Sequence, residues 1–487
     1  MIRLHDTRAK KKVEFQPREP GKLSIYVCGV TVYDLCHVGH ARTAVAFDVI
    51  VRHLRARGFE VRFVRNITDV DDKIIRKGLA EGRPPAEVAA SYADAMAVDM
   101  AGLGVAPPDV EPRATSHIAD MIDVIRRLEE RGLAYAAGGD VYYSVAGFAG
   151  YGGLSGQSPD ELQAGARIEV GEHKRSPLDF ALWKAAKPGE PSWESPWGNG
   201  RPGWHIECSA MAHRYLGDTF DIHGGGSDLI FPHHENEIAQ SEGAFGGFAR
   251  YWMHSGMISF GGEKMSKSLG NVVTIRRVAE THDLEALRLL LISVHYRSPA
   301  AFSISRDVLG NPVYPDLDEA ETRLDYFYRT LERLDAFTST LASPPSPPPS
   351  DLATRFLEAM DDDFNTAAAI GHLYDAFVLA NKLLDDPKAA SKPQRQATLT
   401  ALARDVRMVG QTLGIMRRQP GEFLTARRSR LCERRKIDPQ AVESGIAERV
   451  AARAAKNFPR ADQIRDQLKE QGVELMDGPK GTTWRVV

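Results

Sequence analysis

Two histidines three residues apart, His37 and His40, stand where an apolar strand pattern ends and a helical pattern begins. The start of a helix exposes unpaired N–H groups and favours an anion, and imidazole rings can donate to phosphate oxygens. Gly39 between them lets the backbone approach a ligand closely. The segment from Leu23 to Arg42 therefore predicts a phosphate site, although a pattern this short also recurs by chance.

A second candidate phosphate-binding stretch runs from Gly261 to Gly270. It carries Lys264 and Lys267 with two serine hydroxyls between flanking glycines. Such a loop can close over a polyphosphate and neutralise the charge that develops as pyrophosphate leaves. An ordinary lysine-bearing surface loop explains the composition equally well.

The third candidate chemistry is metal binding, since two thiols, an imidazole and a carboxylate are residue types that suit zinc. The set is Cys28, Cys208, His233 and Glu237, and its spacing is not local. His233 and Glu237 are four residues apart and share one face of a helix. Considered alone, that pair is more simply interpreted as an exposed helical pair. Cys36 and Cys432 are expected to be structural or free thiols.

The elements that must position these residues begin with a strand from Leu23, a helix that ends near Gly58 and a second strand from Glu60 to Arg65. Strand, helix and strand in this order predict a βαβ unit in a parallel sheet. Polar residues that follow such a strand line ligand sites, so Thr68 and Asp69 are candidates. Asp71 and Asp72 are expected to cap the next helix. No G-x-G-x-x-G motif follows the first strand, which argues against a dinucleotide cofactor.

Further site candidates lie in the second half of the predicted sheet domain. Trp204 has neighbours that are unusual for a core. The triple glycine before Asp228 would let the backbone approach a ligand. Pro232 suits the first turn of a helix.

A length of 487 residues suggests about three domains. We expect an α/β protein with a Rossmann-like parallel-sheet catalytic domain and an insertion, followed by an α-helical bundle and a small α+β C-terminal domain. The expected boundaries are 1–110 with 200–260 for the catalytic halves, 111–199 for the insertion, 261–315 for the lysine loop and a stem-contact region, 316–420 for the bundle and 421–487 for the C-terminal domain.

The composition is that of an ordinary globular protein, with 43% hydrophobic and 26% charged residues. No apolar run of about 18 residues and no secretory signal core are present, so we expect a cytoplasmic protein. The net charge of −3 gives no global sign of nucleic-acid binding. The C-terminal segment is locally basic, by roughly four charges. Trp484 beside Arg485 could stack on an unpaired base, or Trp484 could close a small hydrophobic core.

The motifs taken together resemble a known family. HVGH at His37–His40 resembles the HIGH signature, and KMSKS at Lys264–Ser268 the second signature, of class I aminoacyl-tRNA synthetases. YVCGVTVYD, NITDVDDKII, PGWHIECSAM, DIHGGGSDLIFPHHENEIAQ, KNFPRADQIRD and GTTWR are similar to the cysteinyl-tRNA synthetases, and the likeness covers nearly the whole chain. Val38 replaces the isoleucine of the signature, and Ser255 stands where asparagine is expected. Residues 343–351 and 427–439 do not match strongly.

This resemblance implies an enzyme that joins cysteine to tRNA(Cys) with ATP. It assigns Cys28, Cys208, His233 and Glu237 to one zinc ion that binds the thiolate of the substrate. It assigns the remaining functions as follows: catalysis to His37, His40, Lys264 and Lys267; ATP binding to His37, Gly39, His40 and Lys267; the cysteine pocket to Cys28, Gly29, Thr68, Trp204 and Asp228; and tRNA contacts to Trp484 and Arg485. Mg²⁺ should accompany ATP. The family also implies a monomer.

Two other functions remain open at this point. The cysteine ligase of mycothiol synthesis shares this catalytic core and transfers cysteine to an amino sugar, but the basic tail ending in Trp484 and Arg485 argues against it. A catalytically silent RNA-binding paralogue is the other. The complete set of signature and zinc positions argues against that possibility.

Overall fold

The chain begins with an antiparallel hairpin that packs beside the main sheet. Its strands are β1 (Arg3–Asp6) and β2 (Lys11–Glu14). The structure is a computed structural model that describes residues 1–157, 173–260, 263–264, 272–307, 310–341, 346–478 and 481–486, with the backbone alone at 263–264.

The predicted βαβ unit is present. It consists of β3 (Lys22–Thr31), α1 (Val38–Ala56) and β4 (Glu60–Thr68). The two strands pair in parallel. Helix α1 ends before Gly58, whose φ of +90° is easily reached only by glycine.

Two helices follow β4, namely α2 (Asp72–Glu81) and α3 (Pro85–Gly102). The Asp71 side chain caps α2 by accepting from the Lys73 N–H, as expected. Asp72 differs from the expectation because its carboxylate pairs with Lys184 and Arg201 of the following insertion.

The segment after α3 forms a separate small layer. It contains α4 (Ile118–Glu130) and four short strands, which are β5 (Ala134–Ala137), β6 (Asp140–Tyr143), β7 (Phe180–Ala185) and β8 (Gly200–Pro202). The strands form an antiparallel sheet in the order β5-β6-β7-β8. This layer separates the two halves of the parallel sheet along the chain.

The chain then returns to the parallel sheet. The second half consists of α5 (Trp204–Leu216), β9 (Phe220–Gly226), α6 (Glu235–Phe245) and β10 (Ala249–Ser255). The complete sheet has the order β10-β9-β3-β4, with all neighbours parallel. The strand order reverses direction between β3 and β9, and ligands of such sheets bind at the carboxyl ends beside this point.

Pro232 stands in the first turn of a helical segment, as expected. Within residues 230–234 only Phe231 departs from helical dihedral angles, and the wide turn that Pro232 begins continues directly into α6 at Glu235. The Phe231–Pro232 bond is cis.

Short elements connect the sheet to the helical part of the chain. They are β11 (Ile258–Phe260), β12 (Glu263–Lys264), α7 (Ile275–Ala279), α8 (Leu284–Ile292), β13 (Ala300–Ala301), β14 (Ser305–Arg306) and β15 (Pro312–Val313). Strand β11 pairs in parallel with β13 and antiparallel with β12.

The remainder is a helical bundle and a small α+β unit, as the sequence predicts. The bundle helices are α9 (Pro315–Ser339), α10 (Asp351–Asp361), α11 (Thr366–Asp385) and α12 (Lys392–Leu413). The last part contains α13 (Pro420–Arg435), α14 (Pro439–Ala454), α15 (Phe458–Glu470) and the hairpin of β16 (Val473–Gly478) and β17 (Gly481–Val486). Among the described residues, no helix has the length and apolar character needed to cross a membrane.

Candidate active site and metal centre

A cleft of about 350 Å³ opens at the carboxyl edge of the parallel sheet, beside the ends of β3 and β9. Seven of the predicted site residues line it, namely Cys28, Gly29, His37, Gly39, His40, Trp204 and Asp228. Thr68 lies behind this surface, where its hydroxyl donates to the buried Glu207 carboxylate at 3.0 Å. The neighbouring Asp69 turns away and accepts from the N–H and hydroxyl of Thr115.

The two signature histidines cap helix α1 reciprocally. The His40 N–H donates to His37 Nδ1, and the His37 N–H donates to His40 Nδ1, both at 3.3 Å. The rings are stacked, with centroids 3.6 Å apart. Because each Nδ1 accepts a hydrogen bond, the neutral rings carry their protons on Nε2. Both imidazoles are therefore set as Nε2–H donors at the start of a helix whose first turn holds no acidic residue.

A β-bulge at the end of β3 aims the Cys28 side chain. Cys28 and Gly29 together lie opposite the single residue Asn66 of β4. The Gly29 N–H donates to Asn66 Oδ1 at 2.8 Å, and a Cβ on Gly29 would lie 1.6 Å from the Asn66 carbonyl oxygen. Only glycine fits at this position.

Four buried side chains converge behind Cys28. The ligand atoms of Cys28, Cys208, His233 and Glu237 all lie within 4.8 Å of one another. The Cys28 thiol donates to Glu237 Oε1 at 3.2 Å, and His233 Nε2 lies 3.0 Å from the same oxygen. His233 is 1% exposed and Glu237 0%, so the interpretation of this pair as an exposed helical pair is wrong.

Burial and mutual contacts shift the protonation equilibria of the four side chains in this cluster. Burial alone would raise the pKa of Glu237, but His223 and His233 hold it well below its usual range. Burial would likewise raise the pKa of Cys208, yet hydrogen bonds from Cys28 and His233 lower it to about 6. The pKa of Cys28 is raised well above its usual value by burial and by the neighbouring Cys208. The Glu237 carboxylate and the Cys208 thiolate in turn raise the pKa of His233 to about 10, against the effect of burial.

The donor set fits a divalent metal ion. Two sulfurs, one imidazole nitrogen and one carboxylate oxygen in a buried, compact arrangement are typical ligands of zinc. A second set that shares Cys28 and Glu237, completed by His223 and His234, is equally compact.

Residues that the sequence analysis did not single out support the cluster. His223 Nε2 lies 2.9 Å from Glu237 Oε2, and His205 Nδ1 lies 2.8 Å from His233 Nδ1. Such outer contacts fix the orientation of metal ligands. Asn66 approaches Cys208 Sγ at 3.7 Å. The match of NITD and PGWHIEC to the family was the only sequence signal for Asn66 and His205.

The triple glycine serves mainly for packing. A Cβ on Gly224 would lie 2.2 Å from the Phe47 ring, and one on Gly225 would lie 2.8 Å from the His234 ring. Gly226 is the member that lines the cleft. The expected close approach to a ligand therefore concerns this last glycine.

The second signature is described only in part. Lys264 belongs to β12 by its backbone, and Lys267 lies outside the described residues. On either side, Val38 N–H donates to the Val273 carbonyl at 3.0 Å, and β11 borders the cleft through Ile258.

At the C-terminus, Trp484 closes a small hydrophobic core. Its side chain is 5% exposed, its Nε1–H donates to Glu443 at 2.6 Å, and Arg428 covers its ring at 4.8 Å. Arg485 pairs with Glu474, and its guanidinium lies 3.7 Å from Asp325 of α9. Of the two interpretations of Trp484, closure of a small hydrophobic core is the one that the structure contains. The tRNA contact of Arg485 stays a prediction.

Comparison with known protein families identifies the class to which this site belongs. Residues 14–307 match the family described as tRNA synthetases class I (C) catalytic domain. Residues 355–417 match a DALR domain, and residues 439–485 match the cysteinyl-tRNA ligase anticodon binding domain. The Mycobacterium tuberculosis methionyl-tRNA synthetase, solved in complex with methionyl-adenylate, has the same fold, with a TM-score of 0.58 at 16% identity over 83% of this chain and 93% of that chain. The fold and the cleft define a class I tRNA synthetase.

Full-length relatives define the group within that class. The cysteine–tRNA ligase of Anaeromyxobacter sp. (strain K) is 54% identical over 492 residues, which cover 100% of this chain and 99% of the relative. The cysteine–tRNA ligase of Geobacter metallireducens is 52% identical over 495 residues, with the same coverage. The chain belongs to the cysteine–tRNA ligase family.

Proposed function

We propose that the chain joins L-cysteine to tRNA(Cys) at the expense of ATP. The observation that carries this proposal is that Cys28 belongs to the buried thiol-rich cluster and also lines the cleft of His37 and His40. A thiol-bearing amino acid and a nucleoside triphosphate would therefore meet in one cleft. The full-length relatives named cysteine–tRNA ligase support the same activity.

The reaction has two steps. In the first, a carboxylate oxygen of cysteine attacks the α-phosphorus of ATP, the bond to the bridging oxygen breaks, and pyrophosphate leaves. In the second, a ribose hydroxyl of the terminal adenosine of the tRNA attacks the carbonyl carbon of cysteinyl-adenylate. AMP leaves, and the hydroxyl proton is released.

The side chains contribute positioning and electrostatic stabilisation. The Nε2–H groups of His37 and His40 would donate to phosphate oxygens of ATP, which enters with Mg²⁺. Gly39 leaves room for the nucleotide. Lys264 and Lys267 would neutralise the charge of the departing pyrophosphate.

The cysteine pocket would be built around one zinc ion per chain, held by Cys28, Cys208, His233 and Glu237. Zinc would supply a Lewis acid that binds a thiolate far better than the hydroxyl of serine. Gly29, Trp204 and Asp228 would line the pocket, and Thr68 would act on it through Glu207. Discrimination of this kind needs no separate editing site.

The helical bundle and the C-terminal unit would hold the tRNA, with Arg485 near the anticodon. The expected domain boundaries, the cytoplasmic location and the monomeric state belong to this proposal as well. Sedimentation of the purified chain tests the last of these, because a dimer would contradict it.

The deciding experiment is cysteine-dependent exchange of labelled pyrophosphate into ATP, followed by transfer assays. Exchange together with charging of tRNA(Cys) is expected, with serine failing in both assays. Exchange with transfer to an amino sugar instead of tRNA would identify the mycothiol-type ligase. Absence of exchange by protein that contains zinc would contradict both enzymatic functions.

A further inference from the structure

The guanidinium of Arg42 is a buried positive charge that has no part in the reaction described above. It lies on α1, two residues after His40, and is 2% exposed. Every hydrogen bond that the described residues accept from its guanidinium ends on a backbone carbonyl. The acceptors are the carbonyl oxygens of Leu291, Val294 at 3.4 Å, His295 at 2.6 Å, Tyr296 at 3.1 Å and Ser298 at 3.1 Å.

This arrangement replaces the carboxylate that normally accompanies a buried charge. The carbonyls belong to the end of α8 and to the turn that follows, where helix geometry leaves acceptors unpaired. Burial lowers the pKa of Arg42 to about 10, so the guanidinium remains charged at neutral pH. Its planar fork reaches several carbonyls at once, which the single ammonium of lysine cannot do.

The carbonyl segment, residues 291–298, supports the strand that leads to Lys264. The Gly256 N–H donates to the Tyr296 carbonyl at 2.7 Å, and a Cβ on Gly256 would lie 2.3 Å from the Ser298 carbonyl oxygen. Directly beyond, the Ala300 N–H donates to the Met257 carbonyl at 2.9 Å, and β13 pairs with β11. The carbonyl segment therefore determines where β11 stands along the cleft.

The helical bundle holds the same segment from the opposite side. Asp363, between α10 and α11, is 0% exposed. Its Oδ1 accepts from the Tyr296 hydroxyl at 2.9 Å, and its Oδ2 accepts from Arg297 Nε at 2.8 Å. Arg42 thus hydrogen-bonds to the backbone of the carbonyl segment, while Asp363 hydrogen-bonds to its side chains.

We propose that Arg42 and Asp363 are positioning residues that clamp the carbonyl segment, so that β11 and the His37–His40 pair stay in register across the ATP site. This inference rests on the proposed function. It assigns neither residue a contact with a substrate, because both act through the segment that they hold.

The test uses Arg42→Lys, Arg42→Met and Asp363→Asn in the full chain, measured by pyrophosphate exchange. Displacement of β11 by a fraction of an ångström should raise the KM for ATP and lower kcat. For Arg42→Met, we expect kcat/KM for ATP to fall by roughly 10- to 100-fold. The KM for cysteine and the zinc content should stay within twofold of wild type. Arg42→Lys and Asp363→Asn should lose less.

Two further measurements separate positioning from general damage. Millimolar guanidinium should partly restore kcat in Arg42→Ala, because it can occupy the vacated carbonyl site. The double variant with Arg42→Lys and Asp363→Asn should lose less exchange activity than the product of the two single fold losses, since both residues hold one segment. Arg55→Met is the matched control: Arg55 lies on the same helix in an exposed pair with Asp109, and its loss should leave exchange unchanged.

Wild-type exchange with unchanged ATP kinetics in Arg42→Met would overturn the inference while leaving the proposed function intact. The inference would also be overturned if the KM for ATP, the KM for cysteine and the zinc content all deteriorate together and guanidinium restores none of them. That result would indicate a purely structural role. If Arg42→Met does not fold, Asp363→Asn and Arg42→Lys decide by the same criteria. Absence of exchange in the wild type would instead contradict the proposed function.

Discussion

The chemical state of each site residue depends on which of its atoms the fold already uses. His37 and His40 each accept a backbone N–H at Nδ1 when they cap α1. The same hydrogen bonds place the proton of each neutral ring on Nε2, so the cap also creates the Nε2–H donors. Asn66 is the comparable residue at the thiol cluster. It holds the bulge at Gly29 and approaches Cys208 at the same time. Both sites are therefore preorganised by backbone contacts.

Cys208→Ser should abolish metal binding and cysteine activation together. A serine hydroxyl is a poor zinc ligand near neutral pH, and the remaining three ligands are too few for a closed site. Metal analysis and pyrophosphate exchange measure the two effects. Cys36→Ser is the matched control, because Cys36 is buried but lies outside the cluster, and it should keep its zinc. Activity retained by metal-free Cys208→Ser would refute the pocket assignment.

At the scale of elements, a single buried guanidinium joins α1, the end of α3 and the end of α12. Arg288 on α8 is 0% exposed and donates to the Asp48 carboxylate at 2.5 Å. It also donates to the carbonyls of Leu103, Gly104 and Leu413. This contact fixes the bundle against the helix that carries the signature histidines.

Arg288→Met should destabilise the protein by about 3 kcal/mol, because it leaves the Asp48 carboxylate and three carbonyls buried with fewer partners. The midpoint of urea unfolding, followed by circular dichroism, measures the loss. Arg333→Met provides the comparison, since its pair with Asp385 is exposed and should be worth less than about 1 kcal/mol. Equal losses of unfolding free energy in the two variants would show that burial does not make the contacts of Arg288 more stabilising than an exposed ion pair.

A second contact between elements makes stability depend on pH. Burial would raise the pKa of Asp283, but Arg418, the Glu285 N–H and Arg430 together outweigh this effect and hold the pKa below its usual range. A carboxyl whose pKa is lower in the folded state stabilises that state above the unfolded pKa of about 4, and the contribution is lost as pH falls through the folded value.

Asp283→Asn should therefore be less stable than wild type at pH 7, and the difference should shrink below about pH 4. Asparagine can still cap α8, so the variant removes the charge and keeps the cap. Thermal unfolding at several pH values measures the difference. A gap that is constant from pH 7 down to pH 3 would contradict the assignment to the Asp283 charge.

At the scale of the whole molecule, the two half-reactions depend on different parts of the chain. The cleft lies at the parallel sheet, whereas Trp484 closes a core made of α13 to α15 and the last hairpin. Damage to this terminal core should impair tRNA charging and spare amino-acid activation.

Trp484→Ala should raise the KM for tRNA at least tenfold while pyrophosphate exchange stays within twofold of wild type. Loss of a buried tryptophan costs about 3 to 5 kcal/mol, enough to unfold a small unit locally. Trp484→Leu separates the two roles, because leucine fills the core but offers no aromatic face. Near-normal charging by Trp484→Leu is expected. Charging as poor as that of Trp484→Ala would show that the ring stacks on a base.

The sequence by itself determined the local elements. The strand from Leu23, the helix after His40 and the strand from Glu60 followed from apolar periodicity and from stop signals such as Gly58, and their parallel pairing followed from connection length. Asp71 as a cap was equally local. The resemblance of the motifs added the family, which the comparisons confirm.

Only the tertiary structure decided which distant residues meet and which side chains are buried. The thiol cluster draws on the end of β3, the middle of α5 and the region around α6, and the spacing of Cys28, Cys208 and Glu237 in the sequence carries no trace of that convergence. The burial of His233, the packing of Trp484 and the carbonyl contacts of Arg42 have the same origin. Periodicity and capping act within a few residues of the chain, whereas burial and ligand convergence depend on how separate elements pack, which a local pattern does not encode.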